Sequence, residues 1–71
     1  MDESLLLTQM GSRIRAIRIK NNLTQNDVAD KCNFEKASIS RIESGQTNLT
    51  IRSLIKLCNA LGIEIIELFS E

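Results

Sequence analysis

LTQNDVADKCNFEKASISRIESG, residues 23–45, decides the fold. It reads as two short helices joined by a tight turn. Thr24 is a good N-cap, because its hydroxyl can accept a hydrogen bond from an unpaired first-turn amide. Asp27 follows three residues later, where a carboxylate suits the positive helix end. Val28, Ala29 and Cys32 recur at helical spacing as an inward face. Asn33 tolerates the left-handed backbone that closes a helix, and Phe34 is the buried residue of the turn. A second helix is predicted from about Lys36 to Ser44, with Ile39 and Ile42 inward. Glu35, at its N-cap, is a weaker cap than Ser or Asp, and Gly45 ends it. Its opposite face carries Lys36, Ala37, Ser40 and Arg41.

Upstream, Met1 to Leu7 reads as an acidic lead-in that is loose at its start. A first helix is predicted from about Leu7 to Asn21, with Leu7, Met10, Ile14 and Ile17 on one apolar face. Arg13, Arg15, Arg18 and Lys20 fill much of the remainder, and Asn21-Asn22 is the stop. Leu23 plugs the core between helices. Downstream, Gln46 to Leu49 is a polar loop, and Thr50 caps a helix running to Leu61. Leu54, Leu57, Cys58 and Leu61 point inward there, and Ile51 and Ile55 broaden the same surface. Gly62 stops it, and Ile63 to Phe69 is predicted as a short fifth helix. The fold class is therefore all-α: a single domain over residues 1–71 built as a five-helix bundle, with the paired helices at about 24–44.

Composition narrows the function. The chain of 71 residues contains no His, and its two cysteines are far apart. Close-spaced zinc ligands are absent, so no metal or cofactor is expected; both thiols read as small buried apolar groups in a reducing, cytoplasmic setting. No signal peptide and no membrane-spanning run is visible. Nine basic and nine acidic residues give zero net charge. All nine basic residues lie between Arg13 and Lys56, where only four acids occur, so the middle is positive and the ends are acidic. Such a distribution fits a face for nucleic-acid phosphates, and it equally fits ordinary solvated surface.

One set of residues carries a specific resemblance. Arg18, Leu23-Thr24-Gln25, Val28-Ala29, Ile39-Ser40-Arg41-Ile42-Glu43, Gly45, Asn48, Leu54 and Ala60-Leu61-Gly62 fall in the order and spacing of the phage-repressor (Xre, Cro-type) helix-turn-helix family. The similarity covers about Gly11 to Phe69. It implies a five-helix lambda-repressor-like DNA-binding domain, usually a homodimer in transcriptional control. Two positions depart from the family: Asn33 stands where Gly is usual in the turn, and Leu49 stands where Pro often precedes the fourth helix. Asn is the next most tolerant residue at positive φ, and Thr50 still supplies a cap, so neither departure undermines the fold.

The resemblance places site residues. In helix-turn-helix proteins the start of the second helix reads base edges in the major groove. That assigns base contact to Lys36, Ala37 and Arg41, with Arg41 able to bond O6 and N7 of one guanine together. Lys36 can read guanine or hold a phosphate, and Ala37 can touch a thymine methyl. Both long side chains could equally be solvated surface. Gln25, beside free first-turn amides, matches a family phosphate contact; the alternative is a first-turn helix residue with no role in binding. Ser38, Ser40, Thr47 and Asn48 are further phosphate candidates; Asn48 can instead bond within its own loop. Arg18 and Glu43 match a pair that forms an internal salt bridge in the family and would fix the angle of the reading helix. Ile65, Ile66 and Phe69 cannot all face one core, so they are assigned to a dimer interface; the alternative is a frayed terminus covering the local core.

Two functions remain from the sequence. One is a homodimeric, sequence-specific transcriptional regulator on a short palindromic operator, with double-stranded DNA as partner and no small-molecule ligand evident. The other is an antitoxin-like or other protein-interaction module with secondary DNA binding. An enzyme has no support: no His, no recognisable carboxylate pair, no glycine-rich phosphate loop and too little chain for a pocket.

Overall fold

Three of the four α-helices of this chain start on a side-chain cap, and all four are closed by a left-handed residue. The computed structural model describes residues 2–69. In order they form α1 (Glu3–Lys20), α2 (Gln25–Cys32), α3 (Lys36–Glu43), α4 (Ile51–Leu61) and a single 3₁₀ turn (Ile65–Leu68), with no strand among the described residues.

The first helix begins earlier than its apolar pattern suggests. Asp2 caps it, its carboxylate accepting from the Ser4 N–H at 2.8 Å, and Glu3 supplies a first-turn acid. The acidic lead-in is thus the helix start, since an Asp cap and a first-turn Glu stabilise a positive helix end. Thr24 and Asp27 form a reciprocal capping box on α2: the Thr24 N–H donates to Asp27 at 2.8 Å, and the Asp27 N–H donates to Thr24 Oγ1 at 3.0 Å. Thr50 Oγ1 accepts from the Ser53 N–H at 3.0 Å at the start of α4.

The helix ends share one device. Asn22 and Asn33 both take φ 59°, Gly45 φ 73° and Gly62 φ 70°. At each, the next residue's N–H reaches back to the last turn: Leu23 to Arg18 O, Phe34 to Ala29 O, Gln46 to Arg41 O and Ile63 to Cys58 O. This is the Schellman arrangement, and it turns the chain sharply while satisfying orphan carbonyls. Leu23, Phe34 and Ile63, the residues just past three of these ends, pack against the core. The turn between α2 and α3 is therefore built by Asn33 at low cost. Phe34 is half-buried rather than buried, and Lys56 Nζ lies over its ring, 5.4 Å from the centroid.

Met10, Ile14, Val28, Ala29, Cys32, Ile39, Ile42, Leu54, Leu57, Cys58, Leu61 and Leu68 form one core. Burial pushes both cysteine thiols up from their ordinary value, and both are free. Two expectations need correcting. Ile51 and Ile55 do not join the inward face of α4; they are 67% and 50% exposed. That helix packs through its Leu54–Leu61 stripe, and the neighbouring stripe is left outward. The fifth helix is not an α-helix either. After Gly62 the chain runs extended and makes only the 3₁₀ turn, which Glu67 closes by accepting from the Glu64 N–H at 2.7 Å. Four residues suffice to drop Leu68 into the core, and 3₁₀ runs rarely extend further.

The α2 box makes a pH prediction. Its bonds from Thr24, the backbone one foremost, hold the Asp27 carboxyl below the usual carboxylate range. A lowered folded value contributes stability above the unfolded pKa of about 3.9 and loses it as pH falls through the folded value. Asp27→Asn should therefore lower the melting temperature at neutral pH and converge on the parent in acid. A gap that persists unchanged at low pH would contradict this role.

Candidate nucleic-acid interface

Helix α3 is eight residues long, and its two faces are cleanly divided. Ile39 and Ile42 are buried, while Lys36, Ala37, Ser40 and Arg41 are exposed along the other side. Ser38 is half-buried at the edge. Glu35 makes no side-chain cap, so the first amides of α3 keep no internal side-chain partner there. Ser44 Oγ donates to Ser40 O at 2.8 Å near the other end.

The loop after α3 folds back beside it. Gly45 and Gln46 bond the last carbonyls of the helix, and the chain returns through Thr47 and Asn48. Ser38, Arg41, Thr47 and Asn48 line one groove of about 220 Å³, floored by Phe34, Ile42 and Leu49 and edged by Ser53. Four residues singled out from the sequence thus meet in one place: one guanidinium, two hydroxyls and one amide. Lys36, Ala37 and Ser40 lie on the same helix outside that groove.

Gln25 sits elsewhere. It is half-buried at the start of α2, and its Nε2 donates to Glu43 Oε1 at 3.2 Å. Glu43 is the one buried charged residue of the described chain, with its side chain 3% exposed. Arg18 meets it with both arms of the guanidinium: Nε donates to Oε2 at 2.6 Å and Nη2 to Oε1 at 3.1 Å. Arg18 Nη1 also donates to Leu23 O at 2.8 Å. The bond to Glu43 holds the guanidinium still more firmly protonated than usual, with burial opposing it. A bidentate pair with extra hydrogen bonds is the geometry in which a buried charge is tolerated. It ties α1, the α1–α2 corner, α2 and the end of α3 together.

Helix α1 approaches α3 closely at a residue the sequence pattern did not single out. A Cβ on Gly11 would lie 2.6 Å from the Glu43 carbonyl oxygen and closer still to that of Ile42. Only a glycine lets the two backbones touch here. The available signal was a glycine inside an otherwise periodic helix, where it costs about 1 kcal/mol relative to Ala and so calls for a packing reason.

Among the residues assigned to a dimer interface, Ile65, Ile66 and Phe69 are 39%, 67% and 53% exposed. Ile51 and Ile55 neighbour Ile65 alone of the three, lining with Ile63, Cys58, Asn59 and Glu64 a groove of about 320 Å³, whereas Phe69 lines a separate groove with Leu6, Leu7, Met10 and Leu54. No cluster of His, Cys, Asp or Glu among the described residues has the arrangement of a metal site, and no helix there is long and apolar enough to cross a membrane.

A helix-turn-helix family model matches residues 14–68, most of the chain and all of the paired-helix unit. The chain belongs to the helix-turn-helix family. This helix-turn-helix protein is 34% identical over 55 residues to the control protein C.BamHI of Bacillus amyloliquefaciens, covering 76% of this chain and 68% of that protein. It is 34% identical over 62 residues to the immunity repressor protein of Bacillus phage phi105, covering 87% of this chain and 43% of that longer protein. The restriction-modification controller protein C.AhdI from Aeromonas hydrophila superposes with a TM-score of 0.86 at 33% identity, over 89% of this chain and 96% of that one. The controller protein C.Esp1396I, solved as a tetramer in complex with its natural 35 base-pair operator, superposes with a TM-score of 0.83 at 36% identity. There 90% of this chain and 84% of that one are covered.

Proposed function

We propose that this protein is a sequence-specific DNA-binding transcriptional regulator that acts as a homodimer on a short palindromic operator in the cytoplasm. The observation that supports this most is the division of α3, whose exposed Lys36, Ala37 and Arg41 stand beside the groove of Ser38, Thr47 and Asn48. In this reading the first three contact base edges and the polar groups hold phosphates, with Ser40 as a further phosphate contact. Arg41 is the base reader of greatest weight, because a guanidinium matches O6 and N7 of guanine together. Gln25 contacts a phosphate while still anchored: its amide has two N–H donors, and Glu43 uses one. Arg18 acts inside the protein by fixing the angle of α3.

The homodimer is assigned to the apolar face of Ile65, Ile66 and Phe69, to which the outward Ile51 and Ile55 are added. Such a dimer presents two copies of α3 about 34 Å apart, one turn of duplex. The similarity to controller and repressor proteins supports regulation of transcription as the outcome.

Salt titration tests the phosphate contacts. The logarithm of the association constant should fall linearly with log salt, by about 0.9 for each phosphate neutralised. Arg41→Ala should cost roughly 1–3 kcal/mol of operator binding and relax the preference at one base pair in each half-site. Equal weakening on every duplex would reassign Arg41 to a phosphate. Ile66→Glu combined with Phe69→Glu should leave a folded monomer in sedimentation, and an unchanged mass would reject this face as the interface.

A further inference from the structure

We infer that Arg13 is a positioning residue that locks the apolar C-terminal face to α1, and so to the reading helix; the inference rests on the homodimer reading above. Arg13 Nη1 donates to Leu68 O at 2.7 Å, bridging 55 positions of sequence. The residue is only partly exposed. Leu68 is itself fully buried. The carbonyl it offers is at the end of the 3₁₀ turn, where helical carbonyls have no partner of their own, and a cationic donor there makes a short, charge-assisted bond.

The position of Arg13 on α1 gives that bond its consequence. Two residues earlier, Gly11 lies against the backbone of Ile42 and Glu43 at the end of α3. Five residues later, Arg18 holds Glu43 through a salt bridge of 2.6 Å. A single rigid helix therefore touches the end of the reading helix and, through Arg13, the turn that presents Ile65 and Ile66. If two protomers meet through that turn, its orientation on α1 sets the spacing and tilt of the two reading helices. A duplex accepts only a narrow range of that spacing.

The test compares Arg13→Met, which keeps an apolar stem and loses the donors, with Arg13→Lys, which keeps the charge. Sedimentation gives the dimer dissociation constant, and titration of an operator duplex at several salt concentrations gives affinity and salt slope. Arg13→Met should weaken the dimer by up to about tenfold, because the bond lies within one protomer and without it the turn must be ordered on association. Arg13→Lys should fall between it and the parent, and this comparison stands alone if the Met variant melts too low to study. Operator affinity should drop with the dimer while the salt slope stays unchanged. An unchanged dimer constant overturns the inference. So does a salt slope reduced by about 0.9 per subunit with the dimer intact, which would make Arg13 a phosphate contact. If the parent shows no dimer at any concentration, the homodimer reading falls and takes this inference with it; if the parent dimerises and Arg13→Met matches it, only the inference fails.

Discussion

Glu43→Ala should destabilise the protein by about 3–5 kcal/mol, the cost of stranding a buried partner charge. The Glu43 side chain is 3% exposed and accepts from Arg18 Nε and Nη2 and from Gln25 Nε2. Removing it leaves a guanidinium at 11% exposure with two donors unanswered, and it frees the Gln25 amide. A domain of this size has a total margin near the low end of the usual 5–15 kcal/mol, so the loss is a large share of it. Denaturant unfolding followed by circular dichroism measures it. A loss under about 1 kcal/mol would mean that the pair behaves like an exposed one. The paired replacement Arg18→Met with Glu43→Leu should recover much of the stability, since apolar packing can substitute for a buried ion pair. It should not recover DNA binding fully. Gln25 would have lost the partner that aims it, so affinity should fall by more than the unfolded fraction explains. Full affinity in the double variant would remove Glu43 from the account of how α2 and α3 are aligned.

Gly11→Ala should have the second-largest effect. The added methyl would stand 2.6 Å from the Glu43 carbonyl oxygen and 2.9 Å from its carbon, and these are backbone atoms that no rotamer change can move aside. Elsewhere in a helix the same substitution gains about 1 kcal/mol. Here α1 must shift away from α3, and overpacking of this kind typically costs 1–3 kcal/mol or more. With 4–8 °C lost per kcal/mol in a domain of this length, the melting temperature should fall by at least about 5 °C. A melting temperature equal to or above the parent would show that the two helices do not touch through their backbones. Since α1 is the strut behind α3, operator binding should weaken along with stability.

These two residues show what the sequence made legible and what it did not. The paired helices were readable because their signals are local. Thr24 and Asp27 cap, Asn33 and Gly45 turn the chain, and Ile39 and Ile42 mark the inner face by spacing alone. The start of α1 was missed by four residues because the apolar period begins late, while the Asp2 cap lies outside that period. Gly11 has no side chain to enter a pattern, so its contact with α3 exists only in three dimensions. The bond from Gln25 to Glu43 joins residues 18 apart, and the resemblance pointed Gln25 toward DNA alone. Ile51 and Ile55 fit the apolar stripe of α4 in period, but a helix of 11 residues packed on one side leaves its flank outward. That error is informative, because the outward pair extends the same apolar face as Ile65. At the end of the chain, hydrophobicity alone suggested a helix, whereas a single turn was enough to bury Leu68.

Whether α3 reads a base sequence from a two-fold dimer is decided by selecting bound duplexes from a random pool. The selection should return one symmetric consensus, with half-sites centred about 10–10.5 base pairs apart. A pool that stays random after enrichment would contradict that reading and leave the exposed apolar face, and a protein partner for it, as the main function of the fold.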